Sequence, residues 1–147
     1  VVLDSRLRLP PGSQLARTAA TVPTWVLTAG EPEGMKRRLL EDLGVKVIPV
    51  AADGAGHVDP AAALTALGEA GLTRLLVEAG AAVNGALLGA GLVDRLAWFR
   101  GGQVIGADGL AAVAACRVDA LEGAPAFTLV EERGAGPDRF ALYNKKE

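Results

Sequence analysis

The sequence predicts an α/β fold in which a mainly parallel sheet, flanked by helices, is followed by an antiparallel C-terminal hairpin. Short apolar, β-rich runs alternate with segments whose apolar residues recur at helical spacing, as in strand–helix–strand units. The last two apolar runs follow each other with only a turn between them, which is typical of a hairpin. Half of the residues are hydrophobic but only 4% are aromatic, so Val, Leu and Ala must build most of the core.

The chain opens with two predicted strands and a helix. Residues 1–3 form an apolar run, and residues 24–28 (TWVLT) are β-rich and end at a Gly/Pro turn, so both are predicted strands. Apolar residues at helical spacing then predict a helix at Met35–Leu43, which Gly44 terminates.

A third strand, a second helix and a fourth strand follow. Residues 45–50 (VKVIPV) are the third strand, with its proline at a strand end or sheet edge. Asp59 and Pro60 open the next helix as cap and first-turn proline, and Gly71 follows its last turn. Arg74–Glu78 is apolar until its last residue, which predicts a central strand covered on both faces.

The C-terminal half continues the series. Ala81–Leu92 has the spacing of a helix, and Arg95–Arg100 (RLAWFR) is the next predicted strand. Residues 126–132 and 139–143 are the two strands of the terminal hairpin, joined by a turn rich in Gly and Pro.

Length, charge and cysteine content exclude several classes of protein. The 147 residues suit a single domain, and no window approaches 18 uninterrupted apolar residues, which argues against a membrane span. A net charge of −2 with scattered basic residues does not favour a nucleic-acid binder. One cysteine allows neither an intrachain disulfide nor a thiolate metal site, and with no export signal at the start we expect a cytoplasmic protein.

The most informative stretch for function is Leu75–Leu92 (LLVEAGAAVNGALLGAGL). An apolar strand ends in a carboxylate, turns through Gly80 and enters a helix whose first residues carry almost no side chain. In α/β folds ligands bind at the carboxyl ends of strands, where unpaired helix amides attract anions. Small residues would therefore let a phosphate approach the backbone, with Gly85 keeping the second turn equally bare. The alternative is a simple tight turn with close helix–sheet packing, because alanine is common throughout this chain.

Three polar residues end predicted strands. Glu78 either accepts hydrogen bonds from a heterocyclic ligand or caps the amides of its own helix. Ser5 and Thr28 either bind a ligand or make local turns, and the residues alone favour the turns.

The other reactive side chains give weaker signals. His57 has no partner histidine or cysteine at ligand spacing, so we expect a surface-loop histidine and no metal. Cys116 lies in an apolar stretch and is predicted to be a small core residue. The chain contains none of the GxGxxG, GxSxG or GxxxxGK[ST] motifs.

Several segments, in order along nearly the whole chain, resemble one known family. They are VVLDSRLRLPPGS, TWVLT, LLVEAGAAVNGALLGAGLVDRL, VIGADG and the GPD-containing hairpin. Together they resemble the reductase domain of the bifunctional deaminase/reductase of riboflavin biosynthesis. The resemblance implies a dihydrofolate-reductase-like fold and NADPH-dependent reduction of 5-amino-6-(5-phosphoribosylamino)uracil to the ribitylamino product. It also implies a homodimer that acts on a small molecule. The expected cytoplasmic location and the expected lack of a nucleic-acid or membrane partner come from the composition described above.

The resemblance assigns roles to individual residues. Glu78 is implied to bind the substrate. The implied cofactor-binding residues are Ser5, Gly80, Ala81, Ala82, Val83, Asn84, Gly85 and Ala86. Thr28 is added only because it ends the next strand in the same way. No general acid is assigned, because the cofactor supplies the hydride and the protein aligns the reactants.

The sequence also departs from the family pattern. Ala81 replaces a small hydroxyl residue or proline, and Gly101-Gly102-Gln103 replaces an Ala-Pro-Lys type of stretch. Val1 is not preceded by the family's first strand and helix or by its zinc deaminase half. We therefore expect a piece of a longer protein, namely one reductase domain truncated at its N-terminus. The sheet would then have an exposed edge, which favours pairing with a second chain. Two alternatives stay open: a non-catalytic nucleotide-binding or assembly module, and a related reductase with another substrate.

Overall fold

The computed structural model describes residues 1–116 and 118–146, and these form two compact units, Val1–Leu75 and Leu76–Glu147. The first unit contains β1 (Val2–Leu3), α1 (Gln14–Arg17), β2 (Trp25–Ala29), α2 (Gly34–Asp42), β3 (Lys46–Val50) and α3 (Pro60–Glu69). The second contains α4 (Ala81–Gly89), β4 (Arg95–Arg100), β5 (Phe127–Ala135) and β6 (Asp138–Lys145), with short 3-10 turns at Gly106–Asp108 and Leu121–Gly123.

The first unit is built on a parallel sheet in the order β1-β2-β3. Successive residues of β2 point to opposite faces of the sheet, so Val26 and Leu27, both fully buried, belong to separate clusters. The cluster around Val26 includes Ala16 of α1 and Leu40 of α2. The cluster around Leu27 includes Ala63 and Leu67 of α3. The sheet is thus covered on both faces, as the sequence predicts for a parallel sheet.

Local signals fix the ends of the helices in this unit. Asp59 caps α3, its Oδ1 accepting the Ala62 amide at 2.8 Å, and Pro60 occupies the first turn, as predicted. The glycines that follow α2 and α3, Gly44 and Gly71, adopt φ of +90° and +93°. On the exposed face of α2, Arg37 Nε donates to Glu41 at 2.8 Å, which raises the pKa of Arg37.

The second unit contains an antiparallel sheet in the order β4-β6-β5. β5 and β6 form the predicted terminal hairpin, with a bulge between Leu129 and Glu131. All six residues of β4 pair with β6 on its other side. Residues 112–116 run beside α4, where the Ala114 amide donates to the Ala81 carbonyl at 2.9 Å. Cys116, expected in the core, is only half-buried.

The predicted fold class is confirmed, but one predicted strand is wrong. The strands divide into two three-stranded sheets, one parallel and one antiparallel, and Arg74–Glu78 belongs to neither. Within the described chain no strand pairs with this segment, and Leu76 is 82% exposed. Apolar, β-rich sequence forms a strand only where a neighbouring strand accepts its backbone hydrogen bonds, so composition alone misassigned it.

Candidate functional site

Ser5 lies at the carboxyl end of β1, beside the end of β2. Its carbonyl accepts the Ala29 amide at 3.2 Å, and its Oγ accepts the Val58 amide at 3.0 Å. The second bond joins residues 53 positions apart and anchors the loop between β3 and α3 to the sheet edge. Because Oγ accepts in this bond, the hydroxyl proton stays available for a further acceptor.

Thr28, one residue before the end of β2, is fully buried. Its Oγ1 donates to the Gly30 carbonyl at 2.9 Å, and Gly30 turns away with φ of +74°. The hydroxyl therefore closes the turn after β2 and is not exposed on the surface.

The N-terminus of α4 is open. Gly80 is the N-cap residue and offers no side chain to cap the helix, and a Cβ placed on it would have no atom within 4 Å. The first-turn amides of a helix have no intrahelical acceptor, so those of Ala81, Ala82 and Val83 are available to an anion. The bare turn predicted at the start of this helix is present, but the strand predicted to lead into it is not.

Glu78 precedes this turn and is exposed. Within the described chain its carboxylate makes no hydrogen bond or ion pair, so it does not cap α4. A carboxylate two residues before an open helix N-terminus gives this turn hydrogen-bond acceptors as well as donors.

The second turn of α4 was predicted to leave its backbone uncovered, but it packs against another segment of the chain. Gly85 is buried, and a Cβ on it would lie 2.8 Å from the Ala114 carbonyl oxygen. Asn84 Nδ2 donates to the carbonyls of Ala79 at 3.1 Å and Ala112 at 2.9 Å. These two residues hold α4 within its own unit. Close packing was the alternative that the sequence left open, but the contacts with Ala112 and Ala114, about 30 positions away, have no local signal. Of the other predicted contacts, Ala82 and Ala86 are exposed.

The predicted site residues thus fall into two groups. Ser5 and Thr28 belong to the first unit, and Glu78 and the residues from Gly80 to Ala86 belong to the second. Sequence reasoning also missed Asp4, a buried carboxylate next to Ser5, for which the only signal is an acidic residue ending an apolar strand.

The remaining reactive side chains do not form a second centre. His57 is 68% exposed in a surface loop, as predicted, with Nδ1 3.8 Å from Asp53 Oδ2. Across residues 1–116 and 118–146, no three His, Cys, Asp or Glu side chains come together in a group that could hold a metal ion. In the same residues, no helix combines the length and apolar character needed to cross a bilayer.

Solved structures of other proteins share this fold. Acinetobacter baumannii RibD matches 99% of this chain and 37% of its own, with a TM-score of 0.76 and 22% identity. A pyrimidine reductase-like protein from Corynebacterium diphtheriae matches 99% of this chain and 60% of its own, with a TM-score of 0.75 and 19% identity. This fold is that of an α/β protein of the dihydrofolate-reductase-like class.

Sequence comparison narrows this class to one family. The model of the RibD C-terminal domain matches residues 1–133, so the chain belongs to that family. The riboflavin biosynthesis protein RibD of Escherichia coli is 30% identical over 138 residues, which are 94% of this chain and 35% of that protein. RibD of Bacillus amyloliquefaciens is 32% identical over 106 residues, 72% of this chain and 28% of its own. The chain therefore spans about a third of the length of these relatives.

Proposed function

We propose that this chain provides the reductase part of riboflavin biosynthesis, reducing 5-amino-6-(5-phosphoribosylamino)uracil to the ribitylamino product with NADPH. Family membership over residues 1–133 supports a role in this pathway. The observation that carries the proposal is the open N-terminus of α4, with Gly80 as an uncapped first residue and Glu78 exposed before it. The two units are proposed to belong to one reductase domain.

The residues at α4 suit the diphosphate of a dinucleotide. The space around Gly80, together with the small side chains of Ala81 and Ala82, leaves the first-turn amides accessible to phosphate oxygens. No carboxylate of the described chain caps these amides, so their partial positive charge is available to the anion. We also assign Ser5, in the first unit, to the cofactor, because its hydroxyl proton is not used in the bond from the Val58 amide. NADPH, when bound, supplies the hydride; the protein binds and orients the reactants and excludes water.

We assign Glu78 to the substrate. A pyrimidine ring presents N–H and amino donors, and an ionised carboxylate accepts such bonds more strongly than a neutral group does. Glu78 has no competing partner in the described chain. By contrast, we assign Gly85, Asn84 and Thr28 to positioning, because their contacts are already made within the protein.

Substitution of Glu78 tests this assignment. Glu78→Gln is expected to weaken binding of the phosphoribosylamino-pyrimidine about 10-fold, the cost of losing a charged hydrogen bond, and to change NADPH affinity less than about 2-fold. Isothermal calorimetry measures both dissociation constants, and NADPH oxidation measures turnover.

The matched control is Glu122→Gln, an exposed glutamate of the same unit, which should leave both affinities unchanged. Equal losses of substrate and NADPH affinity in Glu78→Gln contradict the assignment. A full-length RibD relative serves as the positive control for turnover. If that relative oxidises NADPH with this substrate and the unsubstituted chain does not, this chain alone does not catalyse the reaction.

One observation favours a second candidate function, nucleotide binding without turnover. The segment before Gly80 is not held in a sheet, and Leu76 and Val77 are 82% and 45% exposed, so no strand pairing in the described chain fixes the position of Glu78. NADPH binding by calorimetry with no NADPH oxidation supports this candidate over the reductase.

The cellular context is proposed on the same basis. We propose a cytoplasmic homodimer that binds a small molecule and neither nucleic acid nor membrane. β1 is an edge strand of its sheet, and exposed strand edges favour pairing with another chain. Light scattering at increasing protein concentration distinguishes a dimer from a monomer.

A further inference from the structure

The loop that follows β1, residues 4–9, is organised by the carboxylate of Asp4. Asp4 is 7% exposed, and its Oδ2 accepts the Leu9 amide at 2.7 Å. Its backbone carbonyl accepts the Leu7 amide at 2.9 Å. One residue therefore closes the loop twice, through its main chain and through its side chain. We call residues 4–9 the Asp4 loop.

The Asp4 loop keeps two features that cost free energy. Asp4 Oδ1 is buried with no hydrogen-bond partner in the described chain, and the nearest cation, Arg8 Nε, lies 3.7 Å away on a side chain that is 85% exposed. Leu7 is buried with φ of +50°, in the left-handed region that residues other than glycine rarely adopt. Such features persist where the surrounding structure enforces them, and they cluster at functional sites.

The residue that this loop holds in place is Ser5. The Asp4 amide donates to the Leu27 carbonyl at 2.9 Å, which fixes the entry to the loop, and the Leu9 bond fixes its exit. Between these points Ser5 makes the Oγ contact to the Val58 amide. The orientation of the Ser5 hydroxyl thus depends on the loop remaining closed.

We propose that Asp4 is a positioning residue: its buried carboxylate closes the loop that holds the Ser5 hydroxyl on the Val58 amide, so that the Ser5 proton faces an oxygen of the nucleotide cofactor. Asp4 itself does not touch the cofactor, because one carboxylate oxygen bonds to Leu9 and the other is inaccessible. The proposal rests on the proposed function, which assigns Ser5 to the cofactor.

A double-mutant cycle on Asp4 and Ser5 tests the proposal. Ser5→Ala and Asp4→Ala are each expected to weaken NADPH binding about 10-fold, the range of one hydrogen bond, as measured by calorimetry. If Asp4 acts through Ser5, the double variant binds no more weakly than Ser5→Ala alone. Asp4→Asn keeps an oxygen that can accept the Leu9 amide, so its NADPH dissociation constant should stay within about 3-fold of that of the unsubstituted chain.

The matched control removes a bond of the same kind elsewhere in the unit. Ser13 Oγ accepts the Ala16 amide at 3.3 Å, and Ser13→Ala should leave NADPH affinity unchanged. Asp4→Ser, whose hydroxyl is too short to reach Leu9, replaces Asp4→Ala if the latter does not fold. Additive losses in the double variant overturn the proposal.

Amide hydrogen exchange on the ligand-free chain separates this inference from the proposed function. Asp4→Ala should accelerate exchange of the Leu9 and Val58 amides about 10-fold, while the Ala62 amide, capped by Asp59, is unchanged. Unchanged exchange at Val58 overturns the positioning role. If the unsubstituted chain does not bind NADPH, the proposed function fails, and the Val58 exchange alone decides whether Asp4 positions Ser5.

Discussion

Gly85 and Gly89 lie one turn apart on the face of α4 that meets the backbone of residues 114–116. A Cβ at these positions would approach the carbonyl oxygens of Ala114 and Cys116 to 2.8 and 2.9 Å. Backbone carbonyls cannot move aside as a flexible side chain can, so the missing side chains allow this close packing. The same absence at Gly80 opens the helix end to solvent. Glycine thus allows close packing within α4 and, at the N-cap, leaves the first-turn amides accessible to a ligand.

Substitution of Gly85 distinguishes packing from helix propensity. Gly85→Ala gains about 1 kcal/mol of helix propensity but forces a clash that costs about 2–3 kcal/mol, so the free energy of unfolding should fall by about 1–2 kcal/mol. Urea unfolding followed by circular dichroism measures the change. Gly68→Ala in the last turn of α3, where a Cβ would have no atom within 4 Å, is the control. It should stabilise by about 0.5 kcal/mol, part of the full propensity gain, because the last turn of a helix frays. Equal effects of the two substitutions contradict the packing role of Gly85.

That Thr28 is fully buried while Ser5 is half-buried could not be read from the sequence. Ser5 and Thr28 each end a run of apolar residues, and the register of β1 and β2 confirms that both lie at the carboxyl edge of the sheet. Their bonding differs because Thr28 turns back to Gly30, two residues on, whereas Ser5 reaches Val58. A partner 53 positions away follows from the fold and from no local pattern.

At the scale of elements, the ends of α2 and α3 were predictable because their signals are local, whereas α4 ends at Gly89 and not at the predicted Leu92. The Asp59 cap and Pro60 act within the first turn of α3, and Gly44 and Gly71 supply the left-handed residue after α2 and α3. The strand predicted at Arg74–Glu78 failed for the opposite reason: a strand depends on a partner that is remote in the sequence.

The two C-terminal glycines permit a matched test. Both have φ near +90°, so alanine at either position costs about 1–2 kcal/mol of backbone strain. At Gly44 the new Cβ would also lie 3.0 Å from the Ala20 backbone nitrogen, whereas at Gly71 it would have no atom within 4 Å. Gly44→Ala should therefore lower the free energy of unfolding by about 1 kcal/mol more than Gly71→Ala, measured by urea unfolding. A larger loss for Gly71→Ala contradicts this account.

At the scale of the whole molecule, the alternation of strands and helices predicted the fold class but not the division of the strands into two sheets. The strands and the two longer helices of the first 70 residues follow in the predicted order, and the terminal hairpin is present, but the short helix α1 was not predicted. The division follows from pairing: β6 takes both β4 and β5 as neighbours, and the parallel sheet stops at β3. Which strands pair with each other depends on all the strands in the fold, and composition and periodicity of single segments do not specify it.

Hydrogen exchange can test this division between paired and unpaired segments directly. In the described chain none of the amides of residues 73–79 donates a hydrogen bond, so they should exchange at close to the rate of an unfolded peptide. Amides of β2, paired on both sides, serve as the internal control and should be protected at least about 1000-fold, the exchange expected of a core strand. Mass spectrometry of exchanged peptides measures both. Protection of residues 74–78 comparable to that of β2 contradicts the unpaired state. If that protection grows with protein concentration, this segment pairs with a second copy of the chain; if it grows with NADPH, the cofactor orders the segment that carries Glu78.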